Sequence, residues 1–472
     1  MFINMSILRV AGASLAAIIL LPLQSLRAET TSDSERLQKL ERAVEQLQKR
    51  NAELEKEVSS LKKQAVIAPV PAEGPTKKQV TYDGKTLIEK NVVEAEKPKV
   101  YVEPRGPEIK LTLGGFIQVN FEDGAVSAFE GRFPDRPNEI KDRFRLRRAR
   151  INLTGEFAEN FDFKIEGDFA NGDGISSSRT AFSGTDIFIN WHQYPEAQIK
   201  VGQWKAPFGL EQTTPDTSLF TIERSLPTGA ITPERQIGAQ IWGKPFTNIW
   251  PEEKDLLTYY AGIFNGNGRN TNINDNNNFM AVGRLELMPF KGKIFGQDSS
   301  LKFGGDVLNS RDDAGVNISQ TLNLKVNADG SLTPFTLPSA DERTAWSLDA
   351  WLTVGPFDLI GEYLSEDVDG RTVAGVVPKF ADFEPSGWYV QGSYFILPKK
   401  LQAVVKWEEL SPDQVASDGI RSITGGLNYY IHGDSIKLMV DYVHTWSDFR
   451  EVHPQFGDDE FDEVIARLQV MF

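Results

Sequence analysis

From Lys110 onward the chain alternates apolar and polar residues in short segments, and past its N-terminus it contains no apolar run long enough for a membrane-spanning helix. The segment Leu111, Leu113, Gly115, Ile117, Val119, Phe121 shows the pattern, interleaved with Lys110, Thr112, Gln118 and Asn120. Period two gives a strand one greasy and one polar face. Inside a bilayer every backbone N–H and C=O must be paired within the protein, so a chain of this kind can enter only as a closed barrel. A soluble sandwich also uses such alternation, so the pattern alone leaves both folds open.

The connections separate them. About sixteen segments can be marked, at 110–121, 142–156, 161–170, 185–192, 198–205, 235–243, 256–264, 278–288, 300–307, 343–353, 357–365, 387–395, 401–410, 420–431, 436–446 and 462–472. Links after even-numbered segments are mostly short, as at 157–160, 193–197, 354–356, 396–400 and 432–435. Links after odd-numbered segments are mostly long and polar, as at 122–141, 206–234, 308–342, 366–386 and 447–461. Short turns at one rim and long loops at the other define an up-and-down barrel. The expected fold is therefore all-β, a transmembrane antiparallel β-barrel of about sixteen strands over 108–472. Two even links, 244–255 and 289–299, are longer than this pattern wants.

Aromatic residues gather near segment ends, among them Trp242, Tyr259, Tyr260, Trp351, Trp388, Tyr389, Trp407, Tyr429, Tyr430 and Trp446. Two interfacial belts would use such rings, and ordinary core packing would too. The final segment ends on Phe472, an ending that looks like a barrel-assembly signal.

A different periodicity precedes the barrel. In residues 1–28, Arg9 is followed by the apolar stretch 10–23 and a polar close at Ala28, which predicts a secretory signal peptide rather than an anchor, since 10–23 is too short to span. Across 29–66 the apolar positions Leu37, Leu40, Val44, Leu47, Leu54, Val58 and Leu61 step by three and four, with Asn51 in the seam. This predicts an α-helical coiled-coil stalk that self-associates, with Arg50 facing a partner's Glu55 and Glu57 facing a partner's Lys62. A buried Asn leans towards two strands. A solitary solvated helix remains the alternative. Residues 67–107, rich in proline, lysine and glutamate, predict a semi-extended linker.

Charge and composition exclude other classes. A net charge of -15 argues against a nucleic-acid partner, and the absence of cysteine removes disulfides and thiolate chemistry. The four histidines, His192, His432, His444 and His453, sit in no nucleophile motif, so no enzyme and no cofactor are expected. The run from Asn272 to Asn278 would suit a calcium loop or, more simply, a polar turn.

One cluster stands out. Arg143, Arg145, Arg147, Arg148 and Arg150 share a single predicted strand. With Ile151 and Leu153 facing lipid, Arg148 and Arg150 face the lumen; with Phe144 and Leu146 facing lipid, Arg143, Arg145 and Arg147 face it. Both can hold only if a bulge shifts the phase near Arg147. An arginine in mid-bilayer costs about 2–4 kcal/mol, so the row must face water or the rim. Arg235 and Arg284 lie where they could extend a cationic track. Guanidinium groups suit oxyanions through paired, permanently charged donors. The same arginines could instead partner lumen acids such as Asp162, Glu166, Asp168 and Glu286.

The segments 144–155 (FRLRRARINLTG), 201–211 (VGQWKAPFGLE), 223–226 (ERSL) and 234–238 (ERQIG) resemble the phosphate-selective porin O/P family, and the resemblance covers 108–472. It implies a trimeric sixteen-stranded barrel in the outer membrane of a Gram-negative bacterium, an arginine ladder along the pore, and a long third loop narrowing it. By resemblance 206–234 is that loop, and Lys205 is the candidate for a family loop lysine. The implied function is passive diffusion of small hydrophilic solutes, anions above all, with phosphate or polyphosphate among them. The expected partners are outer-membrane lipid, small anionic solutes, further copies of the chain, and peptidoglycan reached by a periplasmic stalk. Two other functions stay open: a general non-selective porin, and a plugged barrel whose stalk tethers the outer membrane to the cell wall.

Overall fold

The structure, a computed structural model, describes residues 77–82, 87–92, 109–124, 142–170, 182–274, 276–312, 324–326, 332–334, 340–370, 382–413, 416–452, 454 and 458–472. The expected signal peptide and coiled-coil stalk lie outside the described residues. Within the expected linker, Lys77–Tyr82 pairs antiparallel with Leu87–Val92, so this part is a hairpin rather than extended chain. Val80, Thr81 and Ile88 are residues that favour strand.

Sixteen strands close into one antiparallel barrel. In chain order they are β1 (Ile109–Gly124), β2 (Arg143–Phe157), β3 (Phe161–Asp168), β4 (Ser183–Trp191), β5 (Gln198–Lys205), β6 (Arg235–Gly243), β7 (Leu257–Phe264) and β8 (Met280–Ile294). The second half holds β9 (Gln297–Asp312), β10 (Ala340–Val354), β11 (Phe357–Gly370), β12 (Ser386–Leu397), β13 (Leu401–Ser411), β14 (Ile420–Tyr430), β15 (Ile436–Ser447) and β16 (Glu460–Met471). Each expected segment is one of these strands. Closure runs from Glu463 opposite Gly124 to Met471 opposite Phe116. Phe472 then exchanges two 3.0 Å backbone bonds with Gly115, which seals the seam.

One anomalous link disappears. The sequence ends a strand at 288 and leaves 289–299 as a link, whereas β8 and β9 continue to a two-residue turn at Phe295 and Gly296, with Ile294 opposite Gln297. Both turn residues have positive φ, 52° and 77°, the geometry that matches strand twist. Pro289 hid the continuation. It lies at a bulge, where the register jumps from Leu287 to Phe290 and a missing N–H costs no ladder bond. The other long link stays long and includes a short 3-10 turn, Pro251–Glu253.

Alternation is carried through to the faces. Leu113 is 62% exposed while Gln118 is fully buried. Leu438, Val440 and Tyr442 of β15 point outward, and Lys437, Met439 and Asp441 point inward. In the aromatic doublets only one ring is outward: Trp388 but not Tyr389, and Tyr429 but not Tyr430. Asn274 and Asn276 each accept, with the side-chain oxygen, the backbone N–H two residues on, so this loop is built of Asx turns.

Two bulges load extra charge onto the inner wall. Gln118 pairs with Arg148 and Val119 with Leu146, so Arg147 is the additional residue of β2. Phe144, Leu146 and Ile151 stay outward, and arginines on both sides of the bulge turn in. On β4, Thr185 and Asp186 oppose the single Glu166, and both serve the interior.

An outward cation at mid-strand should be costly. Val440→Arg is expected to lower folding stability by about 2–4 kcal/mol, read as the shift of a denaturant refolding titration into lipid vesicles. An unchanged midpoint would contradict the lipid-facing assignment.

Candidate functional site

Loop 206–234 joins β5 to β6 and lies inside the barrel, bonded to inward residues of strands from β9 round to β2. Gly209, at φ 83°, turns the chain into a short helix, α1 (Leu210–Thr213). Glu362 of β11 accepts the N–H groups of Leu210 and Glu211 at 2.7 and 3.1 Å, and Asp306 of β9 accepts that of Gly209. A second helix, α2 (Leu226–Ile231), starts at Ser225, whose hydroxyl accepts from Thr228, and carries Pro227 in its first turn. Glu408 of β13 accepts the N–H of Leu226.

Apolar packing backs these bonds. Phe208, Leu226, Ala230 and Ile231 of the loop are buried against inward residues Leu308, Ala345, Leu364, Leu410, Ile420 and Phe461. Burying each larger side chain stabilises by about 1.5–3 kcal/mol. Greasy residues that would otherwise meet lumen water thus form a core inside the barrel. Alternation allows no such residues on the wet face, so the sequence pattern did not foretell it.

At the level of the bulge the loop meets the arginines. Asp216 takes contacts from Arg150 and Arg224, both at 2.6 Å, from Arg148 at 3.5 Å and from Lys205 at 3.6 Å. Glu223 takes two bonds from Arg147, at 2.8 and 2.9 Å, and one from Arg467 of β16 at 2.8 Å. Arg467 also donates to the carbonyl of Ile222 at 2.6 Å and to Asn120 at 2.7 Å. Burial alone would raise the Asp216 carboxyl, but Arg148, Lys205, Arg224 and Arg150 hold it well below the ordinary carboxylate range. Burial likewise opposes Glu223, and Arg147 with Arg467 brings it well below that range. Two loop acids therefore clamp the loop to the wall.

The expected site residues fall into three groups. Arg147, Arg148, Arg150 and Lys205 converge on the loop; Lys205 also donates to the carbonyls of Gln212 at 2.9 Å and Thr214 at 3.4 Å. Arg150 reaches Asp168 at 2.9 Å and Glu166 at 3.7 Å on the opposite side. Arg143 and Arg145 stay wetter, with side chains 30% and 26% exposed, beside Glu122 at 2.7 and 3.9 Å. Arg235 and Arg284 lie elsewhere on the wall. Arg235 binds Asp186 at 2.8 Å, and Arg284 binds Asp306, Asp349 and Glu286 at 2.7, 2.8 and 2.9 Å. Through Asp306, Arg284 steadies the loop at Gly209. The acids Glu166, Asp168 and Glu286 do partner arginines.

Sequence reasoning missed Arg467, Lys406 and Lys437. The same alternation places them inward, each between outward apolar neighbours. It also missed Arg224, Asp216 and Glu223, for which no periodic signal exists in a loop.

Removing the hub should loosen the loop. Asp216→Asn leaves Arg148, Arg150, Arg224 and Lys205 without their shared anion, and a buried pair broken this way costs about 3–5 kcal/mol, read from denaturant titration. Because the Asp216 and Glu223 pKa values are lowered in the fold, their stabilisation is complete above the ordinary carboxylate range near pH 4 and is lost only as pH falls through the lowered values. The share of loop protection these two acids supply, read as the difference in protease protection between wild type and Asp216→Asn, is expected to be flat from pH 8 to about pH 4.

The geometry has relatives. The sequence matches the family described as phosphate-selective porin O and P over residues 123–472. No curated protein matches it. Among solved structures, Salmonella typhi OmpF in complex with Daunomycin gives a TM-score of 0.50 at 15% identity, covering 77% of this chain and 98% of that one, a likeness of fold alone. The outer membrane channel DcaP of Acinetobacter baumannii gives 0.49 at 15% identity, covering 77% of this chain and 97% of that one. In-vitro folded OmpT of Vibrio cholerae, in its trimer form, gives 0.49 at 11% identity, covering 77% and 99%. Matched along most of its length and closed in sixteen strands, the chain belongs to the phosphate-selective porin O and P family.

Proposed function

We propose that this porin passes small hydrophilic solutes across the outer membrane by passive diffusion, anions before cations, through the part of the lumen that loop 206–234 leaves open. It is a conduit and not an enzyme. The observation that supports anion preference is the bulged row on β2, which sets Arg143, Arg145, Arg147, Arg148 and Arg150 on the inner wall and adds Arg467, Arg224 and Lys205 around the loop. Guanidinium groups fixed by hydrogen bonds present charge without reorganising, which favours an oxyanion in transit. Phosphate or polyphosphate is the narrower reading, supported by the family match.

A general porin remains the second reading, and a specific feature favours it. The inner arginines sit against carboxylates, as in Arg143 with Glu122, Arg150 with Asp168, and Arg284 with Asp306 and Asp349, so part of the cationic field is cancelled. A plugged barrel that serves as a wall tether is the third, favoured by the dense packing of the loop. A homotrimer is proposed from the family resemblance, with stalk 29–66 as a periplasmic contact to peptidoglycan.

Reversal potentials across a potassium chloride gradient separate these. Anion preference is expected, and replacing Arg143 and Arg145 together by glutamine should reduce it; a cation-selective or unselective wild type would favour the general porin, and absence of conductance the plugged barrel.

A further inference from the structure

The wall from β3 to β8 meets the loop through Lys205 of β5 and through Trp204, Phe264, Met280 and Val282, which share the loop's apolar cluster. On it, Lys200 of β5 faces inward between Asn190 of β4 and Gln240 of β6. Among the described residues Lys200 makes no ion pair and no side-chain hydrogen bond, and its neighbours are rings. Its Nζ lies 4.6 Å from the centroid of Phe188, 5.5 Å from Trp242 and 5.6 Å from Trp204. The nearby carboxylates are engaged. Asp186 holds Lys164 and Arg235, both within 2.9 Å, and Asp162 accepts from Asn190 at 2.9 Å.

The rings are held in place. Trp242 donates its indole N–H to Asn190 at 3.0 Å, and Asn190 in turn donates to Gln198 at 3.1 Å. Tyr260 stands directly across from Trp242 on β7, with the two ring planes within 5° and centroids 6.0 Å apart. Gly238 and Gly262 carry no Cβ because Phe264 lies over them, and Trp204 packs edge-on against Phe264 at 5.4 Å. The result is a cation set in a fixed aromatic surround on the inner wall.

Ring faces attract an ammonium but do not neutralise it. The arginines named above share part of their charge with fixed carboxylates, whereas Lys200 has no such ion pair among the described residues, and the flat faces beside it suit a planar group on a mobile anion. Building on the porin function proposed above, we propose that the inner face of β4 to β7 is a binding station for small aromatic carboxylates, with Lys200 meeting the carboxylate and Trp242 with Tyr260 stacking on the ring.

The test uses the full chain, refolded in planar bilayers, with benzoate, acetate, inorganic phosphate and benzyl alcohol as blockers of chloride current. Benzoate is expected to half-block at a concentration roughly threefold to tenfold below acetate, the factor that one aromatic contact supplies. Phosphate should resemble acetate, and benzyl alcohol, a ring without charge, should not block. Lys200→Gln and Trp242→Leu should each bring the benzoate-to-acetate ratio to one. The ratio is read within each variant, so a changed conductance does not enter, and heat-modifiable gel migration shows that each barrel has closed. Equal block by benzoate and acetate in the wild type overturns the station, as does a preference that survives either substitution. A silent channel counts against the porin function instead, and calorimetric titration of benzoate and acetate into the same protein in detergent then decides: tighter benzoate, lost in Lys200→Gln, supports the station, and equal affinities overturn it.

Discussion

Every part of this barrel depends on the pairing of β16 with β1. Those backbone bonds remove the last free edge, and a sheet without edges is the one strand arrangement that lipid tolerates, because hydrocarbon offers no partner to an orphaned N–H or C=O. Once the ring is closed, side chains have two destinations. One is lipid, where Leu113, Val440 and Leu468 lie, and the other is the interior, where Gln118, Asp441 and Arg467 lie. Polar residues are then sorted by cost, since an ion that slipped to the outer face would lose its hydration with nothing to replace it.

Strict alternation limits how many ions one strand can send inward, and the bulges lift that limit. Arg147 on β2 and the Thr185 and Asp186 pair on β4 each add a side chain to the interior without displacing their outward neighbours. The extra cations need counter-charge, and the loop brings it as Asp216 and Glu223. The same contacts position the loop, so its placement and its electrostatics are one structure. The apolar side of the loop completes the fit against Leu364, Leu410 and Phe461, which makes it a packed element rather than a lid.

Particular residues show how far the pattern could be read. In β2 the phases set by Ile151 and by Phe144 could both hold only with a bulge near Arg147, because two lipid-facing phases cannot share one unbroken strand, and the register has that bulge. Pro289 misled for a local reason: a proline normally ends a central strand, and only the register shows a bulge absorbing it. The doublets at Trp388 and Tyr429 illustrate a subtler loss. Clustering near strand ends suggested belts, yet adjacent residues must face opposite ways, so half of those rings pack inside. Arg467 and Lys437 obeyed the rule in plain sight, between apolar neighbours.

The chain's pattern specified a barrel of about sixteen strands, the order of turns and loops and, given a bulge near Arg147, the inward turn of the β2 arginines, because period two under a lipid constraint fixes the faces of each unbroken run. The pattern could not say that Asp216 gathers Arg148, Arg150, Arg224 and Lys205, that Glu223 joins Arg147 to Arg467, or that Lys200 is left among rings. Those contacts join residues far apart in the chain through a loop without periodicity, and loop position is settled by packing and charge pairing across the closed lumen, which no local rule of spacing encodes.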